Sequence, residues 1–202
     1  MVKSSATIEA VPSRCMASRP RERILSTARD LFRKHGIRGI GVDTIAEAAG
    51  TNKMTLYRHF GSKDDLVCAC LETVARESSA MWDELAVAHP GNPKAQLRRW
   101  MRDAAACIES DDRGCDLANA AVELTEHDHP ARKLIEDVKK EFRERLAALC
   151  ASAGVTQPEL LADTLCLMFE GARVSRQSTG AEGPSARFLR MSEAVIAAFG
   201  GS

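Results

Sequence analysis

The sequence predicts an all-α protein of about nine helices, and three observations carry that expectation. Of its 202 residues, 45% are hydrophobic but only 4% aromatic, and 31 Ala and 17 Leu stand against 11 Val and 8 Ile. That balance favours helix over strand. Breakers are sparse beyond Gly61, falling at Pro90/Gly91/Pro93, Gly114, Pro130, Gly154, Pro158, Gly180/Gly183/Pro184 and Gly200/Gly201, and each interval between them has helix length. Within the intervals apolar positions step by three and four, whereas no segment alternates with a period of two over a useful length. There is no internal repeat.

Residues 1–18 are polar, broken by Pro12, and read as a disordered tail. Ile24, Leu25, Ala28, Leu31 and Phe32 form a first helical stripe ending at Gly36; Val42, Ile45, Ala46 and Ala49 form a shorter one ending at Gly50. Ser62-Lys63-Asp64-Asp65 has capping-box form and opens the stripe Leu66, Cys70, Leu71, Val74. Leu97, Trp100, Met101, Ala104, Ala105 and Ile108 follow, then Leu134, Ile135, Val138, Phe142, Leu146 and Leu149. The last two intervals are richer: one runs from Leu160 to Ala172 and the other from Phe188 to Phe199, each apolar over more than one face.

Charge and motif content exclude several classes. Lys+Arg 28 and Asp+Glu 28 cancel, but residues 1–66 hold 12 basic and 7 acidic side chains, a net of +5, and residues 67–202 hold 16 and 21, a net of −5. A basic end on an acidic body suits a polyanionic partner met by one face. The longest apolar runs are six residues, far below the roughly twenty needed to span a bilayer. With no secretory signal, a cytoplasmic location is expected. Seven cysteines without a C-x-x-C pair predict reduced, mostly buried thiols. No H-E-x-x-H, G-x-S-x-G or P-loop occurs, and the glycines of 36–41 follow a helix in the wrong order for a dinucleotide loop, so neither enzyme activity nor a cofactor is expected. Glu126-His127-Asp128-His129 lacks the helical spacing that converges metal ligands, and no metal site is assigned. Cys107 and Cys115 are a redox pair only if their helices meet.

The segment 41–60 carries the functional signal. Two short helices crossing steeply need a small residue where they approach, supplied by Ala46, and a residue of positive φ in the turn, supplied by Gly50. Asn52 suits the N-cap of the second helix, and Leu56 points back to Ile45. Lys53, Met54, Thr55 and Arg58 are left facing outward, the layout of a helix-turn-helix.

Ile45-Ala46-Glu47-Ala48-Ala49-Gly50 followed by Leu56-Tyr57-Arg58-His59-Phe60-Gly61-Ser62-Lys63-Asp64-Asp65-Leu66 resembles the DNA-binding domain of the TetR (tetracycline-repressor-like) family of transcriptional regulators, from about Pro20 to Leu71. Arg113-Gly114-Cys115, Leu117-Ala118-Asn119-Ala120-Ala121 and His129-Pro130-Ala131-Arg132 extend the resemblance into the body. Gly41 stands where the family has a capping Ser or Thr, Thr51 where it has Val, and Met54 where it has a small residue. The resemblance implies that Asn52, Lys53, Met54 and Thr55 lie near base edges while Tyr57, His59 and Lys63 hold phosphates. Thr44 and Arg38 are further phosphate candidates, and Arg19, Arg21 and Arg23 could reach the DNA backbone or minor groove. Tyr57 is expected to pack its ring and project its hydroxyl, and Phe60 to be structural.

The implied organisation is a helix-turn-helix domain at 19–66 and an effector-binding and dimerisation domain at 67–202. One recognition helix reads too few bases, so a homodimer on palindromic double-stranded DNA is expected. Its interface is assigned to Leu161, Leu165, Met168, Gly171, Ala172, Phe188, Met191, Val195 and Phe199. A small-molecule effector that releases a repressor is placed among Trp82, Trp100, Met101, Cys107, Asn119, Glu123, Met168, Glu170 and Arg173. The alternatives are a helical protein-interaction module without specific DNA binding, or a regulator responsive to metal or redox state.

Overall fold

The computed structural model describes residues 19–126 and 128–200, which form nine α-helices and no strand. The expected tail, His127 of the Glu126–His129 cluster and Gly201 lie outside the described residues. The helices are α1 (Pro20–His35), α2 (Val42–Ala48), α3 (Lys53–Phe60), α4 (Lys63–Ala88), α5 (Pro93–Ser110), α6 (Asp116–Glu123), α7 (Pro130–Ser152), α8 (Pro158–Thr179) and α9 (Phe188–Ala198), with a 3-10 turn at Pro184–Arg187. Pro20, Pro93, Pro130 and Pro158 each open a helix, where a missing N–H costs nothing and φ is already helical. Among the described residues no helix is long and apolar enough to cross a membrane.

Helices α1 to α3 form a head. Each presents a narrow apolar face inward: Ile24, Ala28 and Phe32 from α1, Ile45 and Ala46 from α2, Leu56 and Phe60 from α3. Gly50 takes φ +62° in the turn, and the next N–H, of Thr51, closes back on the Ala46 carbonyl at 2.9 Å. Gly41 leaves α2 without a side-chain cap, whereas Asn52 caps α3 by accepting from Thr55 N–H at 2.9 Å. Asn52→Ala should therefore cost about 1 kcal/mol, read as a lower urea midpoint with an unchanged slope.

The core of the head continues past residue 66. Leu66, Val67, Cys70 and Leu71 on the first half of α4 join it to Leu117 and Ala120 of α6 and to Ala131, Ile135 and Val138 of α7. The second half of α4 enters another core through Trp82 and Leu85, shared with α5, α7, α8 and α9. Aromatic rings organise that core: Trp82 packs edge-on against Phe142 at 5.4 Å between centroids, and Phe142 stacks with Phe169 at 6.3 Å. A single 26-residue helix, roughly 39 Å at 1.5 Å per residue, thus connects the two cores.

Ion pairs close the seam between head and body. Arg29 of α1 reaches Glu77 at 2.5 Å and Asp116 at 3.3 Å; Arg33, one turn on, pairs with Asp111 and Asp116. Arg173 of α8 approaches the same Asp111 at 3.4 Å and donates to the Gly114 carbonyl. The loop between α5 and α6 therefore holds α1 of the head and α8 of the body at one carboxylate.

Three residues expected at a subunit interface lie inside the chain. Leu161 and Leu165 are 0% exposed and Phe188 is 2% exposed, all in the body core. They turn inward because α7 and α5 pack on that side of α8. Met168, Ala172, Val195 and Phe199 are half-buried against the same core, while Gly171 and Met191 face outward.

Candidate nucleic-acid interface

With Leu56 and Phe60 committed to the core, the rest of α3 has to face solvent. Asn52, Lys53 and Tyr57 are exposed, and Met54 is 82% exposed, among the most open apolar side chains described. Thr55 and His59 are half-buried at the edges of this face. Lys53 Nζ rests on Asp43 Oδ2 of α2 at 3.0 Å, and the hydrogen bond and charge of Asp43 raise its pKa, keeping the ammonium charged. Thr44 is exposed on α2. Arg58 is exposed beside Tyr57, and Arg21 of α1 lies 5.0 Å above the Phe60 ring, so a cation flanks the end of α3.

Two expected phosphate ligands are otherwise engaged. Lys63 is half-buried, and its ammonium donates to the Ile37 carbonyl at 2.6 Å, tying the start of α4 to the α1–α2 connection. Arg38 reaches Glu126 at 2.6 Å and Thr125 Oγ1 at 3.1 Å, while its backbone N–H donates to Glu123 at 3.0 Å. Asn52, Lys53, Met54, Thr55, Tyr57 and His59 thus gather on one short helix, with Thr44 on its neighbour; Lys63 and Arg38 serve joints around it.

The sequence profile described as bacterial regulatory proteins, tetR family, matches residues 24–70, the segment that builds this face. A TetR-family transcriptional regulator from Streptomyces coelicolor superposes with a TM-score of 0.83 at 29% identity, over 89% of this chain and 95% of that one. Residues 24–70 are a TetR-family DNA-binding segment, and the chain as a whole has the fold of a TetR-family regulator. A second TetR-type regulator structure, from Streptomyces avermitilis, gives 0.75 at 26% identity over 92% and 100% of the two chains. The HTH-type transcriptional regulatory protein RaaS of Mycobacterium tuberculosis is 46% identical over 55 residues, 27% of this chain and 26% of its own. The HTH-type transcriptional repressor AcnR of Corynebacterium glutamicum is 37% identical over 65 residues, 32% of each chain. The chain therefore spans about a quarter to a third of the length of these curated relatives.

The nine residues expected around an effector do not gather at either of the two openings described below. Trp82, Trp100 and Met101 are core side chains, 9%, 2% and 4% exposed. Cys107 is half-buried, its thiol pushed up by burial, and Met168 packs on the body core. Glu170 pairs with Lys139, Arg173 belongs to the seam, and Asn119 donates to the Arg113 carbonyl at 2.8 Å. Glu123 lies farthest from the expectation, against the head at Arg38. An opening of about 160 Å3 touches Met101 alone of the nine, and one of about 30 Å3 touches Asn119 alone. The polar interruptions of these helices thus each bond to another part of the chain, with Arg173 Nε left without a partner among the described residues. The Glu126–His129 segment is similarly divided: Glu126 goes to Arg38, whereas His129 Nδ1 accepts from Ala131 N–H at 3.1 Å and caps α7.

The expected interface set includes Gly171 and Met191 but leaves out Leu160, Leu167 and Val174 on the outward face of α8. Leu160, Leu167 and Val174 are 51%, 74% and 58% exposed, and Met191 of α9 is 47% exposed. Their spacing, 160, 164, 167, 171 and 174, alternates four and three and was available as a signal.

Proposed function

We propose that this regulator is a homodimeric repressor that binds a palindromic operator through α3 and leaves it when a small molecule occupies the body. The observation that carries the reading is the division of α3, with Leu56 and Phe60 anchoring one side while Asn52, Lys53, Met54 and Tyr57 are exposed on the other. A helix held this way can enter a major groove without unfolding anything. The apolar stripe Leu160, Leu167, Val174 with Met191 supports a subunit contact, and a Cβ placed at Gly171 would have nothing within 4 Å apart from its chain neighbours and the backbone of its own helix. The stripe replaces Leu161, Leu165 and Phe188 as the facing set. The TetR-family DNA-binding segment and the relative named as a repressor support repression.

Selection of duplexes from a random pool, followed by mobility shifts at several salt concentrations, tests the reading. The expected result is a palindromic site whose affinity falls steeply with salt. Lys53→Ala and Thr55→Ala should cost about 1–3 kcal/mol on the selected site and relax preference at particular base pairs. Tyr57→Phe and His59→Ala should weaken selected and random duplexes alike. A chain that selects no site, or whose affinity ignores salt, is not a DNA-binding regulator; the helical protein-interaction module then takes its place.

A further inference from the structure

We infer that a cleft between α5, the α7–α8 connection and α9 binds a small organic anion with a short apolar tail, of the alkyl carboxylate class, and that this anion is the effector of the repressor proposed above. The effector role rests on that proposal; the binding site does not. The cleft is the opening of about 160 Å3, on the order of a cavity that admits one benzene-sized molecule. Its floor is apolar, made by Leu97 and Met101 of α5, Val155 of the connection, and Leu189 and Ile196 of α9. Such a floor takes a hydrocarbon chain and gives it no polar partner.

The rim selects the head group. Arg98 and Arg102 stand one turn apart on α5, both exposed and both lining the opening. Neither guanidinium has a hydrogen-bond or ion-pair partner among the described residues. Arg99, which stands between them on α5, is by contrast held by Asp103. Lys94 adds a third cation to the lining, and Glu193 on α9 is its one carboxylate. A carboxylate entering on the α5 side, away from Glu193, can be held by two guanidinium forks at once, whereas an ammonium there would meet the like charges of Arg98 and Arg102.

The position suits an effector. Leu189, Glu193 and Ile196 line the cleft, while Met191 and Ala194 of the same helix are exposed outside it. A ligand wedged between α5 and α9 would press on α9 from behind the proposed subunit contact, and small shifts there change the spacing of the two heads.

Calorimetry on the full chain with sodium octanoate, octan-1-ol and octylammonium chloride tests the site. Octanoate should bind at least tenfold more tightly than octanol, and octylammonium should not bind. The R98Q/R102Q variant, altered only at exposed positions, should lose at least tenfold for octanoate and stay within threefold for octanol. Octanol or octylammonium equalling octanoate, or octanoate affinity unchanged in R98Q/R102Q, overturns the site. Octanoate should also release the wild-type chain, but not the double variant, from its selected duplex. Binding without release overturns the effector role. If no duplex is selected while octanoate binds as expected, the regulator reading fails and the anion site stands.

Discussion

Asp111→Asn is expected to lower the stability of the chain by about 2 kcal/mol at neutral pH, and the loss should fade in acid. The carboxylate is 17% exposed and lies between Arg33, 27% exposed, and Arg173, 14% exposed, so its removal leaves two part-buried guanidinium groups without their shared counter-charge. Breaking a fully buried pair costs about 3–5 kcal/mol and an exposed one under about 1, and these burials fall between. Burial alone would raise the Asp111 pKa. The hydrogen bond from Arg33, the Arg113 N–H at 2.9 Å and the charges of Arg33 and Arg173 outweigh burial and hold it below the ordinary 3.8. A carboxyl depressed in the folded state contributes stability that is full above its unfolded pKa and is lost as pH falls through the folded one. Urea unfolding of both chains should therefore show a gap that is constant from pH 7 down to about pH 5 and narrows below about pH 3.8. A gap of the same size at pH 3 would mean that Asp111 acts through its shape, not its charge.

The same residues mark the limit of what the sequence discloses. The head is legible because a tight turn between two short helices constrains almost every position: Ala46 for closeness, Gly50 for φ, Asn52 for the cap, Leu56 for the anchor. The seam is not legible, because Arg29 meets Asp116 across 87 positions and Glu77 across 48, and nothing local announces either partner. The charge division at residue 66 is real, yet part of its basic excess faces the body: Arg29, Arg33 and Arg38 bind Glu77, Asp111, Asp116 and Glu126. The electrostatic case for a polyanion rests accordingly on Lys53, Arg58 and Arg21, around α3. In the body, periodicity reveals helices but not which polar side chain another helix will satisfy, so Glu123 and Arg173 read like pocket residues and turn out to join elements.

Helix α8 offers the sharpest separation between fold and assembly. Leu165 and Leu167 are two residues apart, roughly 200° around the helix, with one 0% and the other 74% exposed. Leu165→Ala empties a site in the body core and should cost about 3 kcal/mol of unfolding free energy, within the range for buried Leu. Leu167→Glu should leave the unfolding of an isolated subunit within about 0.5 kcal/mol, because no core atom is touched. In the homodimer proposed above, its effect belongs to the pair of subunits. A two-fold contact repeats every substitution, so one change brings two carboxylates to the same apolar stripe beside Leu160, Gly171 and Val174. Like charges facing each other at an interface cost several kcal/mol, which corresponds to at least a hundredfold rise in the dimer dissociation constant. Sedimentation equilibrium should find wild type dimeric and Leu167→Glu monomeric at the same concentration, with both chains equally helical by circular dichroism. The monomer should also lose the selected palindrome while keeping weak binding to any duplex, since one head covers one half-site. A Leu167→Glu chain that remains a dimer removes the α8 face from the interface, because no two-fold packing of that stripe accommodates the paired charge.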